Sequence, residues 1–222
     1  MRNIEDIKTE EGNLEEELKN LAASFADLVE VELSYEYKQK LNTVCDEFNR
    51  RLMEIIKAEN INYKPLELGM PSDILLRSGI PNLPIQMSVQ RLVDKKLQTN
   101  HPFSLAAIAH MPEYLANPMA IFQSKTRGDS KVIFTEMEDR GINFVAALEL
   151  NRVKGSIVIN DIRSIYPKDN IHDIFRWIAE DNLMEYCNKQ KILNWFGKQQ
   201  SNSAEVTKLI KDGTKVIIKF EL

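Results

Sequence analysis

Apolar residues recur at helical spacing through the first quarter of the chain. Leu14, Leu18, Leu21, Phe25 and Leu28 follow steps of four, three, four and three, which draws one apolar stripe along a helix. Tyr37, Leu41, Val44, Phe48, Leu52 and Ile55 draw a second stripe, and Ser34 ahead of it reads as an N-cap. A single stripe ordinarily faces the core of its own domain. The two helices also suit an antiparallel hairpin or docking on another protein, and are too short to establish a coiled coil. Residues 65–125 are then punctuated by proline. Leu68-Gly69-Met70-Pro71-Ser72 reads as a turn into a short helix, and residues 79–84 as a rigid extended link. Residues 88–97 read as a helix with Val89, Leu92, Val93 and Leu97 inward. Asn100-His101-Pro102-Phe103 reads as the start of another helix that Met111-Pro112 ends, and Asn117-Pro118 ends a further short one.

After residue 130 the pattern changes to strands, over 131–136, 143–150 and 156–166, with short glycine-containing links around Asp139-Arg140-Gly141 and 151–155. Tight links favour an antiparallel meander over βαβ crossovers. Residues 170–180 return to a helix, with Ile171, Ile174, Phe175 and Ile178 on one side; 188–199 read as another helix and 215–221 as a last strand. The expected class is α+β: N-terminal helices followed by a small antiparallel β-sheet with helices packed on one face.

Charge sharpens the division. Residues 1–64 hold nine Lys/Arg against 15 Asp/Glu, a balance of -6 within a chain total of -4, while all eight prolines fall between Pro65 and Pro167. An acidic helical segment over 1–64 and a mixed domain over 65–222 are therefore expected. With 222 residues, 43% of them hydrophobic, the chain can bury a core without disulfides or metals. No apolar run approaches a membrane span and no apolar signal core opens the chain, so a cytoplasmic protein with no membrane partner is the expectation. Cys45 and Cys187 have no CxxC or Cys/His neighbours; Cys45 falls in a helical row and reads as a small core residue.

No Walker A loop, GxGxxG, HExxH, GxSxG or EF-hand loop occurs, and the three histidines are not at metal-ligand spacing. No metal and no cofactor are expected. What remains is a scattered polar set. His101 precedes Pro102 at an expected helix start, where imidazole can move protons and free amides can hold an anion; its plain reading is a cap beside Phe103. Such groups suit phosphodiester chemistry, in which a 2′-hydroxyl loses a proton and a 5′-oxygen gains one. Ser164 and Tyr166, two apart on a strand, share a sheet face with Ile162 by pleat alternation, and a hydroxyl pair there can orient a phosphate. Lys125, in the basic loop Ser124-Lys125-Thr126-Arg127, can grip a phosphate or simply be solvated. Lys189 and Lys191, with Trp195 following, suit nucleic-acid contact or a packed tryptophan flanked by lysines. Glu136 is a general-base candidate, inert if its strand face is exposed. His110 suits a helix C-terminus, and His172 a solvent-facing first turn.

The order of short motifs is itself informative. Leu68-Gly69-Met70-Pro71-Ser72, Pro84-Ile85, His101-Pro102-Phe103, Asn117-Pro118-Met119-Ala120-Ile121-Phe122-Gln123-Ser124, Lys131-Val132-Ile133-Phe134-Thr135-Glu136, Gly141-Ile142-Asn143-Phe144-Val145, Ser164-Ile165-Tyr166-Pro167-Lys168, Trp177-Ile178 and Asn188-Lys189-Gln190-Lys191 follow one another over residues ~48–200. This succession resembles the phage MuF C-terminal domain and its relatives in large polyvalent proteins of phages and conjugative elements. Those resemble the barnase–EndoU–colicin E5/D–RelE group of nuclease-like domains. The resemblance implies helices preceding an antiparallel sheet, and a metal-independent ribonuclease acting as an effector or toxin. By position it implies His101, Ser164 and Tyr166 as catalytic residues, with Lys125, Glu136 and Lys189 binding substrate. RNA is then the expected substrate. The rival expectation is a non-catalytic interaction module of a phage or conjugative element, whose acidic N-terminal helices meet an immunity or phage partner protein. A small-molecule enzyme has least support.

Overall fold

In the computed structural model, which describes residues 33–97, 103–179 and 183–199, the second apolar stripe forms helix α1 (Tyr35–Lys57). Ser34 caps it, its hydroxyl oxygen accepting from the Tyr37 amide at 3.2 Å. Leu41, Cys45, Phe48, Leu52 and Ile55 are buried along one side, as the spacing requires. Phe48, Leu52 and Ile55 enter the same core as the sheet, so this helix packs on the mixed domain. The Tyr37 hydroxyl donates to the Met70 carbonyl at 2.8 Å, and burial first, then nearby Asp73, pushes that hydroxyl up to about 12. Gly69 holds φ +88 close under Val44, a backbone conformation that other residues rarely adopt. Buried Arg51 donates to the carbonyls of Asn62, Lys64 and Pro65 and so turns the chain back after α1. The stripe over 14–28 and the strand expected over 215–221 lie outside the described residues.

The proline-rich region holds more regular structure than its sequence announces. α2 (Asp73–Arg77) starts at Ser72, whose hydroxyl accepts from the Leu75 amide and donates to the Ala116 carbonyl at 2.7 Å. Two short strands flank it, β1 (Leu66–Glu67) and β2 (Ile85–Met87), just outside the expected turn over 68–72 and link over 79–84, at positions to which the sequence assigned no element. α3 (Val89–Leu97) follows with Val89 and Leu92 buried. The next helical turn, Leu105–Ile108, opens at Ser104, whose hydroxyl caps it, accepting from the Ala106 amide; the start expected at Asn100-His101-Pro102 lies outside the described residues. Met111-Pro112 starts a helix instead of ending one. α4 (Met111–Ala116) takes Pro112 in its first turn, where the missing N–H is not needed. His110 thus precedes a helix rather than closing one; its backbone is left-handed, φ 61, and its amide donates to Asn49 of α1 at 3.0 Å.

Among the described residues the sheet has seven strands in the order β1-β2-β6-β5-β4-β3-β7, with β3 (Ala120–Gln123), β4 (Ser130–Asp139), β5 (Ile142–Lys154), β6 (Ile157–Pro167) and β7 (Met184–Cys187). The central β4-β5-β6 stretch is the expected antiparallel meander; β2 pairs parallel to β6, which makes the sheet mixed. Arg140 and Gly141, both at positive φ, form the first hairpin turn. The second turn falls later than expected: β5 runs on to Lys154, Asn151 (φ 52) is a left-handed kink within it, and Gly155 (φ 61) turns the chain. Ile121, Ile133, Ala146 and Ile165 face one another across four strands and enter the main core with α1, α2 and α3. On the opposite face run the rows Phe122, Val132, Ala147, Ser164 and Ala120, Phe134, Val145, Tyr166. α5 (Ile171–Ala179) buries Ile174, Phe175 and Ile178 and sets Trp177 against Phe122, ring centroids 5.5 Å apart. Residues 31–187 form one compact unit. α6 (Lys189–Lys198), in another, is capped by Asn188 and buries Ile192, Trp195 and Phe196. Among the described residues, no helix is long and apolar enough to cross a membrane.

Candidate anion-binding cleft

Between β5 and β6 the register slips by one residue: Ala147 faces Ser164, but the next residue, Leu148, faces Ile162. Arg163 is the extra residue of a β-bulge. Without the bulge, Ile162 would share the face of Ser164 and Tyr166, as pleat alternation predicts. With it, Ile162 is fully buried in the main core, while Arg163 joins Ser164 and Tyr166 on the other face.

These three side chains line a cleft of about 420 Å³. Its floor is Phe122, Val132 and Ala147 beside Ser164 and Tyr166, and one wall is Trp177 with Leu183. The other wall is the loop from Ser124 to Arg127, between β3 and β4. Gln123 shapes that loop: its side-chain amide donates to the carbonyls of Arg127, Gly128 and Ser130 at 3.2–3.3 Å. Carbonyl oxygens are thereby turned inward, and the Lys125, Thr126 and Arg127 side chains are left exposed. Trp177 is steadied by Phe122 and by Lys168, whose ammonium stands 5.5 Å from the ring centroid. Lys168 also pairs with Asp173 at 2.5 Å, and that hydrogen bond is the main reason the Asp173 carboxyl is held below its ordinary range.

Among the described residues, the lining includes Lys125, Arg127 and Arg163 and no carboxylate. Arg163 donates to Glu149 at 2.8 Å, and Arg152 reaches the same carboxylate oxygen at 2.8 Å. A positive mouth, an apolar floor, the Tyr166 and Trp177 rings and the Ser164 and Tyr166 hydroxyls together suit a ligand with a flat ring and an anionic phosphate. Among the described residues, no group of three or more His, Cys, Asp or Glu side chains is arranged to hold a metal ion.

Of the residues chosen from sequence, Lys125, Ser164 and Tyr166 come together here. Glu136 sits at an exposed position of β4 and does not line the cleft. Lys189 is buried in the first turn of α6. His101 lies outside the described residues, and His172 is exposed in the first turn of α5. Arg163 and Trp177 escaped the residue-level reading. Alternation placed Arg163 on the wrong face, and only its position beside Ser164 signalled it. Trp177 stood on a helix whose apolar side gave no hint of what it faced.

No curated protein and no solved structure matches the chain. Residues 92–194, from within α3 to within α6, match the family model of the phage MuF-C-terminal domain, and the residues that line the cleft all fall inside that stretch.

Proposed function

We propose that this chain binds single-stranded RNA in the cleft and cleaves it without a metal ion. The observation that carries the reading is the convergence of Lys125, Ser164 and Tyr166 with Arg127 and Arg163, in a lining that holds no carboxylate among the described residues. A site that recruits a divalent cation to a phosphodiester ordinarily offers carboxylates; the described residues of this one offer cations and hydroxyls. A base stacks on Trp177 or Tyr166 over the apolar floor. The phosphate then lies between the Ser164 and Tyr166 hydroxyls, which donate to its oxygens, and the Lys125 and Arg127 cations offset its charge. The ribose 2′-oxygen attacks phosphorus, the P–O5′ bond breaks, and the products are a 2′,3′-cyclic phosphate and a free 5′-hydroxyl. One proton leaves the 2′-hydroxyl and one arrives at the 5′-oxygen. The reading assigns these transfers to His101, an imidazole able to exchange protons near neutral pH.

A second reading, RNA binding without cleavage, is favoured by one observation: among the described residues, the lining contains neither histidine nor carboxylate. One experiment separates the two. The full chain is incubated with end-labelled RNA in EDTA, alongside the same strand carrying 2′-deoxy sugars. Cleavage is expected of the first and not the second, with cyclic-phosphate ends, and with loss of activity in His101→Ala. RNA that is bound but stays intact refutes the cleavage reading and leaves the binding module. RNA that neither binds nor breaks refutes both.

A further inference from the structure

The face that carries Ser164 and Tyr166 continues past the cleft into a belt of charge. Arg163 and Arg152 share the Glu149 carboxylate at 2.8 Å each. Two residues further along β5, Lys154 reaches Asp161 at 2.7 Å; Arg91 of α3 reaches it at 2.8 Å, and Arg152 stands 3.7 Å away. Arg91 also donates to the Ile162 carbonyl. Four cations thus contact two carboxylates. Glu67, two strands from Asp161 across the sheet, is engaged by the Gln86 amide at 2.8 Å, and counting it still leaves a positive excess.

Depth matters more than the count. The Asp161 side chain is 0% exposed and that of Glu149 13%, whereas those of Arg91, Arg152, Lys154 and Arg163 are 28–37% exposed. The acids lie underneath and the cations reach outward, so an approaching ligand meets positive charge. Four cations, each about one-third exposed, thus stand over one fully buried and one partly buried acid. Along β6, Asp161 lies three residues from Ser164, about 10 Å at ~3.3 Å per residue. One phosphate in the cleft does not span that distance, but an extended strand does.

We infer that Arg91, Arg152, Lys154 and Arg163 form a second phosphate subsite, which receives the neighbouring phosphates of the same RNA strand. This rests on the cleft being an RNA site. Arg163, which belongs to both, hands the backbone from the cleft to the belt.

The test uses 2′-O-methyl oligonucleotides, which bind but cannot be cleaved by 2′-attack. Affinities of a dinucleotide and an octanucleotide for the full chain are measured over a salt series. The octanucleotide is expected to bind about tenfold more tightly or better. Arg152→Gln with Lys154→Gln lowers its affinity and flattens its log–log salt slope by roughly 0.7 per cation removed, with dinucleotide affinity unchanged. Because those changes disturb buried pairs, Ile157→Glu is the companion variant. Ile157 faces Lys154 across the hairpin and is half exposed, so a carboxylate there opposes the belt without breaking a contact. It too is expected to weaken the octanucleotide selectively. Equal octanucleotide affinity in all these variants overturns the subsite while leaving the cleft intact. Displacement of the octanucleotide by an acidic peptide at lower concentration than by RNA overturns it in favour of a protein partner. No binding of either oligonucleotide to the unmodified chain sinks the cleft reading as well.

Discussion

Asp161 offers the sharpest test of how this sheet is held together. Its carboxylate is fully buried, yet three cations surround it. Burial alone raises such a group, but the hydrogen bonds and charges of Arg91 and Lys154 outweigh it and hold the carboxyl below its ordinary range. Asp161→Asn keeps the shape and removes the charge. Breaking a buried pair on one side costs about 3–5 kcal/mol. Here the abandoned cations are about one-third exposed and can turn to water, which reduces the expected loss to about 2–3 kcal/mol at pH 7. With a urea slope of about 2 kcal/mol/M, the midpoint falls by roughly 1 M. Urea unfolding followed by tryptophan fluorescence reads this directly, and an unchanged slope shows that the denatured state is unaltered. The pH dependence is the stricter check. A carboxyl depressed in the folded state contributes fully above its unfolded value of about 3.9, and the contribution fades as pH falls below that through the folded value. The gap between wild type and Asp161→Asn must therefore narrow in acid, because protonation removes the same charge as the substitution. A gap below about 0.5 kcal/mol at pH 7, or one that widens toward acid, refutes the reasoning.

Three further outcomes are expected. Phe48→Ala empties a position that is 1% exposed where α1 meets the main core, and is expected to cost about 3–5 kcal/mol by thermal or urea unfolding. Gly141→Ala meets no atom within 4 Å of the new Cβ but must hold φ +81, so a loss of about 1–2 kcal/mol from backbone strain alone is expected from the same measurement. Trp177→Ala removes the ring that walls the cleft; RNA affinity is expected to fall by the ~1–3 kcal/mol of one stacked base, with circular dichroism showing the fold retained.

Where a residue's neighbours along the chain decide its conformation, the sequence was a reliable guide. Ser34 capped the helix assigned to it, the turn over 68–72 led into a short helix, and the α1 stripe fell on its buried side. The β4-β5-β6 meander followed from short glycine-containing links. Proline was less legible, because Pro112 suits the first turn of a helix as well as the stretch beyond one. Strands of two to four residues, β1, β2 and β7, are too short to show a period.

Local chemistry by itself determined the α+β class, the helix starts at Ser34 and Ser72, the glycine turns, and the types of side chain available to an anion. Tertiary pairing decided the rest. Lys125, Ser164 and Tyr166 became one cleft only because β3, β4, β5 and β6 lie side by side, bringing residues about 40 positions apart into adjacent rows. Arg163 joined them only because one inserted residue reversed the pleat. A bulge is a property of two strands in register, and no single strand's sequence records what its partner will be.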